Sequence, residues 1–429
     1  MASFGAAASA THPLNPLPTP GDLTPAPGYA PGTTTIVSGG TMTATTPTVD
    51  APYAGPTDIL DADSHVMELP GWLEAHADPA VRDRIRPLYL GGAGALADKA
   101  IADAERRAGD ATVAAELEQQ ILTAKGWHAL GAFDRAERSR SLDLLGFRAQ
   151  LVFPTFAATQ FLGDDHDLVM GGTRALNRAM NAFCADDDRL VSVASVPWID
   201  PEDTLRLTVE ALDDGAGAVM VPSHPGKGIS PTHPDHDALW ATLEERDVPF
   251  LIHIGGGGRT LKPAFHDNGR PVSDFLGGGE NIRGKDYMVI HQQPEQFLSA
   301  MVLDGIFEAH PGLMGGCIEQ GAMWVVPWMR RLDLCQSTFG RGEPAMRDLP
   351  MAASDYVHRN LFFTPFPREP VGWMIDQCGE DLFLFSSDYP HPEGTKDPIQ
   401  RFEETMDGVS AAARDAFYQG NCARMLGIA

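Results

Sequence analysis

Basic residues are scarce in this chain: 32 Lys and Arg stand against 58 Asp and Glu in 429 residues, a formal net charge of −26. Such a balance argues against nucleic acid or an anionic membrane as a partner, because both would repel it. Long apolar runs are missing too, and without about 18 apolar residues in a row no membrane-spanning helix is expected. The opening MASFGAAASATHPLNP has neither a basic n-region nor an apolar h-region. It therefore predicts no secretory signal, and a cytoplasmic location follows. Cysteine is sparse: Cys184, Cys317, Cys335, Cys378 and Cys422 are dispersed, odd in number and without CxxC spacing. That excludes a cysteine-only zinc cluster and fits a reducing compartment. No GxGxxG follows the first apolar run, so nothing supports a dinucleotide-binding open sheet.

Residues 1–57 contain no Lys or Arg, only Asp22 and Asp50 as acids, and are rich in Ala, Thr, Pro and Gly. Their apolar content is too low to offset the entropy of ordering, which predicts a flexible tail ahead of a domain at 58–429. An arm that orders on a partner subunit is the alternative.

From residue 58 short apolar runs recur: Ile59–Val66, Ala149–Pro154, Leu190–Pro197, Ala216–Ser223, Pro249–Ile254, Leu313–Gln320, Leu361–Phe366 and Leu382–Pro390. They lack polar alternation, as parallel strands covered on both faces do. Helical spacing marks Pro201–Asp214, Asp235–Arg246, Pro294–His310 and Ser410–Leu426 between and after them. Eight alternations predict an α/β fold, a closed (β/α)8 TIM barrel. Two insertions exceed ordinary loops: about 91–147 after strand one, with a helical stretch at Ala97–Lys125, and the Gly-rich 255–292 after strand five. Both follow strands and are candidate lids over the active-site face.

Polar residues at the C-terminal ends of barrel strands are the functional suspects. Strand one ends Asp61-Ala62-Asp63-Ser64-His65, and simple alternation sends Asp61, Asp63 and His65 inward together. Burying three ionisable groups needs compensation, which a metal cation provides. His253, Glu319 and Asp388 end strands five, six and eight in the same way. These strand ends, Asp61, Asp63, His65, His253, Glu319 and Asp388, are the candidate metal ligands. His291 and His391 could extend the site toward substrate, and Arg283 could meet a substrate carboxylate. His224, His233 and His236 sit in a Pro-rich loop and read as solvated, while Trp324 and Trp328 read as core packing.

The segments DADSH, LIHIG, IEQGAMWV, NLFFTPF and LFSSDYPH together resemble the amidohydrolase-related family that includes aminocarboxymuconate semialdehyde decarboxylase. The resemblance spans about residues 58–429. It implies a (β/α)8 barrel with a divalent metal (Zn, Mn or Fe) and hydrolysis or decarboxylation of a small carboxylated molecule. The family's first-strand HxH falls on Asp63 and His65, its fifth-strand ligand on His253, its eighth-strand Asp on Asp388. Glu319 stands where a catalytic His is usual, so the resemblance implies Asp63, His65, His253, Glu319 and Asp388 as metal ligands, with Asp388 and Glu319 as the acid/base groups. These two carboxylates shift preference from zinc toward iron or manganese. The pattern is also similar to 2-aminoisobutyrate hydroxylase subunits, which implies a second expectation: a dinuclear iron or manganese monooxygenase, one or two ions per chain. A homo-oligomer, or a hetero-oligomer with a related barrel subunit, accompanies that expectation.

Overall fold

The computed structural model describes residues 46–90, 94–255, 261–271 and 283–428. Apolar runs buried on both faces pair as parallel strands. Here they form β1 (Leu60–Val66), β2 (Ala149–Pro154), β3 (Leu190–Ser195), β4 (Ala218–Met220), β5 (Phe250–His253), β6 (Gly315–Ile318) and β7 (Leu361–Phe363), in that spatial order and all parallel.

The eighth apolar run, 382–390, joins by isolated bridges, Phe363 to Phe383 on one side and Ser64 to Tyr389 on the other. Leu384 N donates to Phe363 O at 2.9 Å, and Ala62 N donates to Phe385 O at 3.0 Å, so the run touches both β7 and β1. It makes no continuous ladder because Asp388 takes the left-handed backbone region, φ 53°, which breaks an extended strand. The barrel expected from the sequence is thus a curled parallel sheet whose last member is irregular.

Two apolar layers hold it. Inside the sheet, Leu60, Ala62, Leu151, Phe153, Val193, Leu251, Ile318, Phe362 and Leu384 pack with Cys422 and Met425 of the C-terminal helix. A larger layer lies between the strands and the surrounding helices. Pro201–Asp213 starts on an Asp200 side-chain cap, and Asp237–Glu245 follows a short 3-10 turn at Pro234–His236. The single helix expected over Pro294–His310 is two, Gln292–Leu303 and Ile306–Ala309. Gly305, at φ 82°, turns the chain between them, a conformation that favours glycine. The closing segment likewise divides, with a π turn at Ala416–Gly420 between Ala411–Asp415 and Asn421–Leu426.

The insertion after β1 folds as Gly94–Gly109, Ala111–Glu118 and Arg135–Leu145. The stretch expected to be one helix at Ala97–Lys125 divides at Asp110, whose carboxylate accepts from Thr112 N at 2.8 Å and caps the second helix. Of the segment 1–57, residues 1–45 lie outside the described residues. Tyr53 N and Ala54 N donate to Leu144 O and Leu145 O, each at 2.9 Å. Of the Gly-rich insertion, 256–260 and 272–282 lie outside the described residues. Among the described residues no helix is long and apolar enough to cross a membrane.

Candidate metal centre

The first strand does not alternate evenly. Its register against β2 shifts between Asp61 and Ser64, and a bulge of this kind re-aims the side chains that follow it. Leu60 and Ala62 face the barrel interior, yet Asp63 and His65 meet His253 and Asp388. Asp61 does not share their face, contrary to the expectation from simple alternation. Its carboxylate instead accepts from Gln150 Nε2 at 2.8 Å and from Ser387 N at 2.8 Å. Burial pushes the Asp61 carboxyl up to about 7.

Asp63, His65, His253 and Glu319 form one donor group, and His65, Asp388 and His391 form a second that overlaps it. Asp63 Oδ1 lies 3.3 Å from both His65 Nε2 and His253 Nε2. His253 Nε2 is 3.4 Å from Glu319 Oε2, and His65 Nε2 is 3.7 Å from Asp388 Oδ1. Six of the residues singled out in the sequence, His391 among them, are therefore brought together. Its Nδ1 is 3.1 Å from Asp388 Oδ1, and its ring stacks on His65. Glu319 and Asp388 both hold positive φ, 54° and 53°. Such strained backbone at non-glycine residues concentrates at functional sites.

Hydrogen bonding indicates which nitrogen the His253 ring offers. His253 Nδ1 sits 3.0 Å from Ile254 O, a group that can only accept, so Nδ1 carries the proton. In the neutral ring its Nε2 then presents a lone pair to two carboxylates. Such an arrangement is repulsive unless a cation lies among them. Proton-sharing pairs of opposite charge sit near 2.8 Å, whereas donors about 2.1 Å from one tetrahedral ion sit about 3.4 Å apart. The observed 3.3, 3.4 and 3.7 Å match the second spacing. In addition, His65 Nε2 and Asp388 Oδ1 are buried with no hydrogen-bond partner among the described residues. The residues fit a divalent ion.

The protonation states agree. Burial, reinforced by the nearby His391, holds His65 down to about 4, leaving it neutral. Burial works to raise Asp63, but the His253 and His65 rings beside it outweigh this and keep it below the usual carboxylate range. A carboxylate beside neutral imidazoles is the ligating form of both.

Thr155, at the end of β2, has no counterpart in the sequence reading. Its hydroxyl donates to Val66 O at 2.8 Å and lies 3.0 Å from His391 Nε2. The loop that carries it is clamped by buried Glu68, which accepts from Thr155 N, Phe156 N and Ala157 N at 2.8, 2.9 and 3.2 Å. Glu369 does the same beside Glu319, accepting from Ala322 N at 2.7 Å and Phe366 N at 3.0 Å. Thr155 follows a strand directly, so the rim rule could have found it; the two glutamates lie in loops and carry no such signal.

His291 and Arg283 stand apart from the donor groups. His291 lies 3.7 Å from Glu295 and stacks on Trp324, and Arg283 begins the short helix Gly284–Tyr287. His236 is buried against Trp198 rather than solvated, because the loop after β4 folds back over Trp240, whose Nε1 donates to Pro231 O. Trp328 is core, as expected.

Comparison with known proteins agrees on the fold. An amidohydrolase from Mycobacterium avium subsp. paratuberculosis K-10 superposes with TM-score 0.65 at 19% identity, over 87% of this chain and 99% of that one. A 5-carboxyvanillate decarboxylase from Novosphingobium aromaticivorans, solved with bound manganese, gives 0.56 at 18%, covering 87% and 98%. The 2,6-dihydroxybenzoate decarboxylase from Rhizobium gives 0.54 at 18%, covering 86% and 99%. No curated protein sequence matches the chain. The Amidohydrolase family model matches residues 61–428, from the acid that opens the DxDxH segment to the end of the closing helix, and the chain belongs to that family.

Proposed function

We propose that this chain is a metal-dependent hydrolase or decarboxylase that cleaves a C–N or C–C bond of a small carboxylated substrate. The observation that carries the reading is the lone pair of His253 Nε2 set against Asp63 and Glu319, which calls for a cation. Asp63, His65, His253, Glu319 and Asp388 would hold it. A divalent ion there supplies Lewis acidity, polarising a substrate oxygen and acidifying water. With three carboxylates in the set, manganese or iron suits the donors better than zinc.

The proton chemistry belongs to Asp388 and His391. Since the Thr155 hydroxyl donates to Val66 O, it can only accept from His391, so His391 Nε2 carries a hydrogen. His391 Nδ1 lies 3.1 Å from Asp388 Oδ1, close enough for a proton taken up at one to pass to the other. That pair can deliver a proton to a substrate carbon or leaving nitrogen, or remove one from water. Asp388 and Glu319 are the more exposed donors, at 16% and 11%, and so face the side from which substrate enters. Arg283 remains the candidate for a substrate carboxylate; its Nε is buried without a hydrogen-bond partner among the described residues.

The dinuclear monooxygenase reading draws on the second donor group. Both groups, however, converge on the single atom His65 Nε2, and one lone pair serves one ion. Supplying the manganese-loaded protein with a panel of aromatic and aliphatic carboxylates, while recording CO2, amine and oxygen, tests the assignment. Metal-dependent release of CO2 or amine without oxygen uptake is expected. Oxygen uptake with two ions per chain would replace it with the monooxygenase.

A further inference from the structure

Behind β1 lies a second buried polar layer, built by the insertion that the sequence suggested as a lid. Arg138, on the helix Arg135–Leu145, is fully buried. Its Nη1 donates to His65 O at 3.0 Å, its Nη2 to Ser64 Oγ at 2.7 Å and its Nε to Gln150 Oε1 at 3.2 Å. Gln150 passes the contact on to Asp61, and the guanidinium lies over the Tyr389 ring, 5.2 Å from its centroid.

Two features make this more than packing. A wholly buried cation is costly, and Arg138 spends its short hydrogen bonds on neutral acceptors rather than on a carboxylate partner. It also grips the stretch where β1 changes register, between Asp61 and Ser64. The His65 peptide is held from both sides, its N–H donating to Tyr389 O at 2.7 Å and its carbonyl accepting from Arg138. Lys125, from the same insertion, is a half-buried cation beside Tyr389, 6.0 Å from the ring centroid.

We propose that Arg138 is a positioning residue for the metal centre. It fixes the irregular β1 backbone so that Asp63 and His65 both face the ion, and its charge offsets the carboxylates gathered in front of it. The insertion is on this account the floor of the site. The inference rests on the metal reading above.

The test compares full-length wild type, Arg138→Gln and Arg138→Lys by Mn2+ titration calorimetry, Co2+ absorption spectroscopy and circular-dichroism melting. Arg138→Gln is expected to weaken Mn2+ binding about 10- to 100-fold, the range for groups that orient ligands, and to shift the Co2+ bands. Arg138→Lys should recover part of the affinity, since it keeps the charge without the fork. A folded Arg138→Gln with wild-type affinity and spectrum overturns the proposal, even if it melts earlier. Should neither Arg138 variant fold, Ser64→Ala decides: a severalfold loss of affinity supports it, and no loss overturns it. Wild type that takes up no divalent ion overturns the metal reading, and this inference with it.

Discussion

His391 lies nearly flat against His65, ring centroids 3.8 Å apart and planes 19° from parallel, with Asp388 within reach of both. A ring facing the metal set and a ring facing Thr155 thus flank one carboxylate. On the proposed reading this arrangement would divide the labour between holding an ion and moving a proton, two roles that substitution can separate.

Removing His253 should empty the centre. His253→Ala deletes the nitrogen between Asp63 and Glu319, so dialysed protein should retain no Mn2+ where wild type retains one ion per chain. Inductively coupled plasma measurement checks this, and two ions in wild type would contradict the shared-nitrogen argument.

Asp388→Asn should leave metal bound while lowering kcat by about 10²- to 10⁴-fold, the usual worth of a positioned acid/base group. Retained activity alongside retained metal would remove Asp388 from the proton chemistry.

Thr155→Val takes away the acceptor for His391 Nε2. Losing one net hydrogen bond of about 1 kcal/mol corresponds to a kcat decrease of roughly fivefold to tenfold. The bell-shaped pH profile should shift with it, since the His391–Asp388 proton is no longer anchored; an unchanged profile would argue that Thr155 only fills space.

Glu68→Ala leaves three N–H groups, two half-buried and one buried, without their acceptor. A loss of about 3 kcal/mol in unfolding free energy is expected, measured by urea titration, with kcat falling because the Thr155 loop moves.

Far from the centre, His358 Nδ1 faces Asp381 at 3.0 Å, and that hydrogen bond raises the imidazole above its ordinary 6.5. A raised histidine binds its proton more tightly folded than unfolded. Its contribution is complete below 6.5 and fades as pH climbs through the raised value. Melting temperature should therefore decline above that point in wild type, and His358→Gln should flatten this part of the curve.

Strand order, the residue types of the candidate metal site and the barrel rim were legible because they depend on local pattern: apolar runs of strand length, four of them ending in acids or histidines. Asp63, His65, His253, Glu319 and Asp388 are all such ends. Arg138, Gln150 and Glu68 gave no signal, since their partners lie 73, 89 and 87 residues away in the chain. Nor could Asp61 be told from Asp63, because a one-residue register shift reverses which face a side chain takes.

The sequence by itself determined that eight apolar segments would bring acids and histidines to one rim, since burial on both faces leaves a parallel strand little choice. Tertiary structure alone decided which of those groups meet. The β1 bulge turns Asp61 away and Asp63 inward, and the Ile254 carbonyl dictates which nitrogen His253 leaves bare. The first choice comes from hydrogen bonds between residues distant in the chain, the second from how the backbone turns after β5, and no spacing within a strand encodes either.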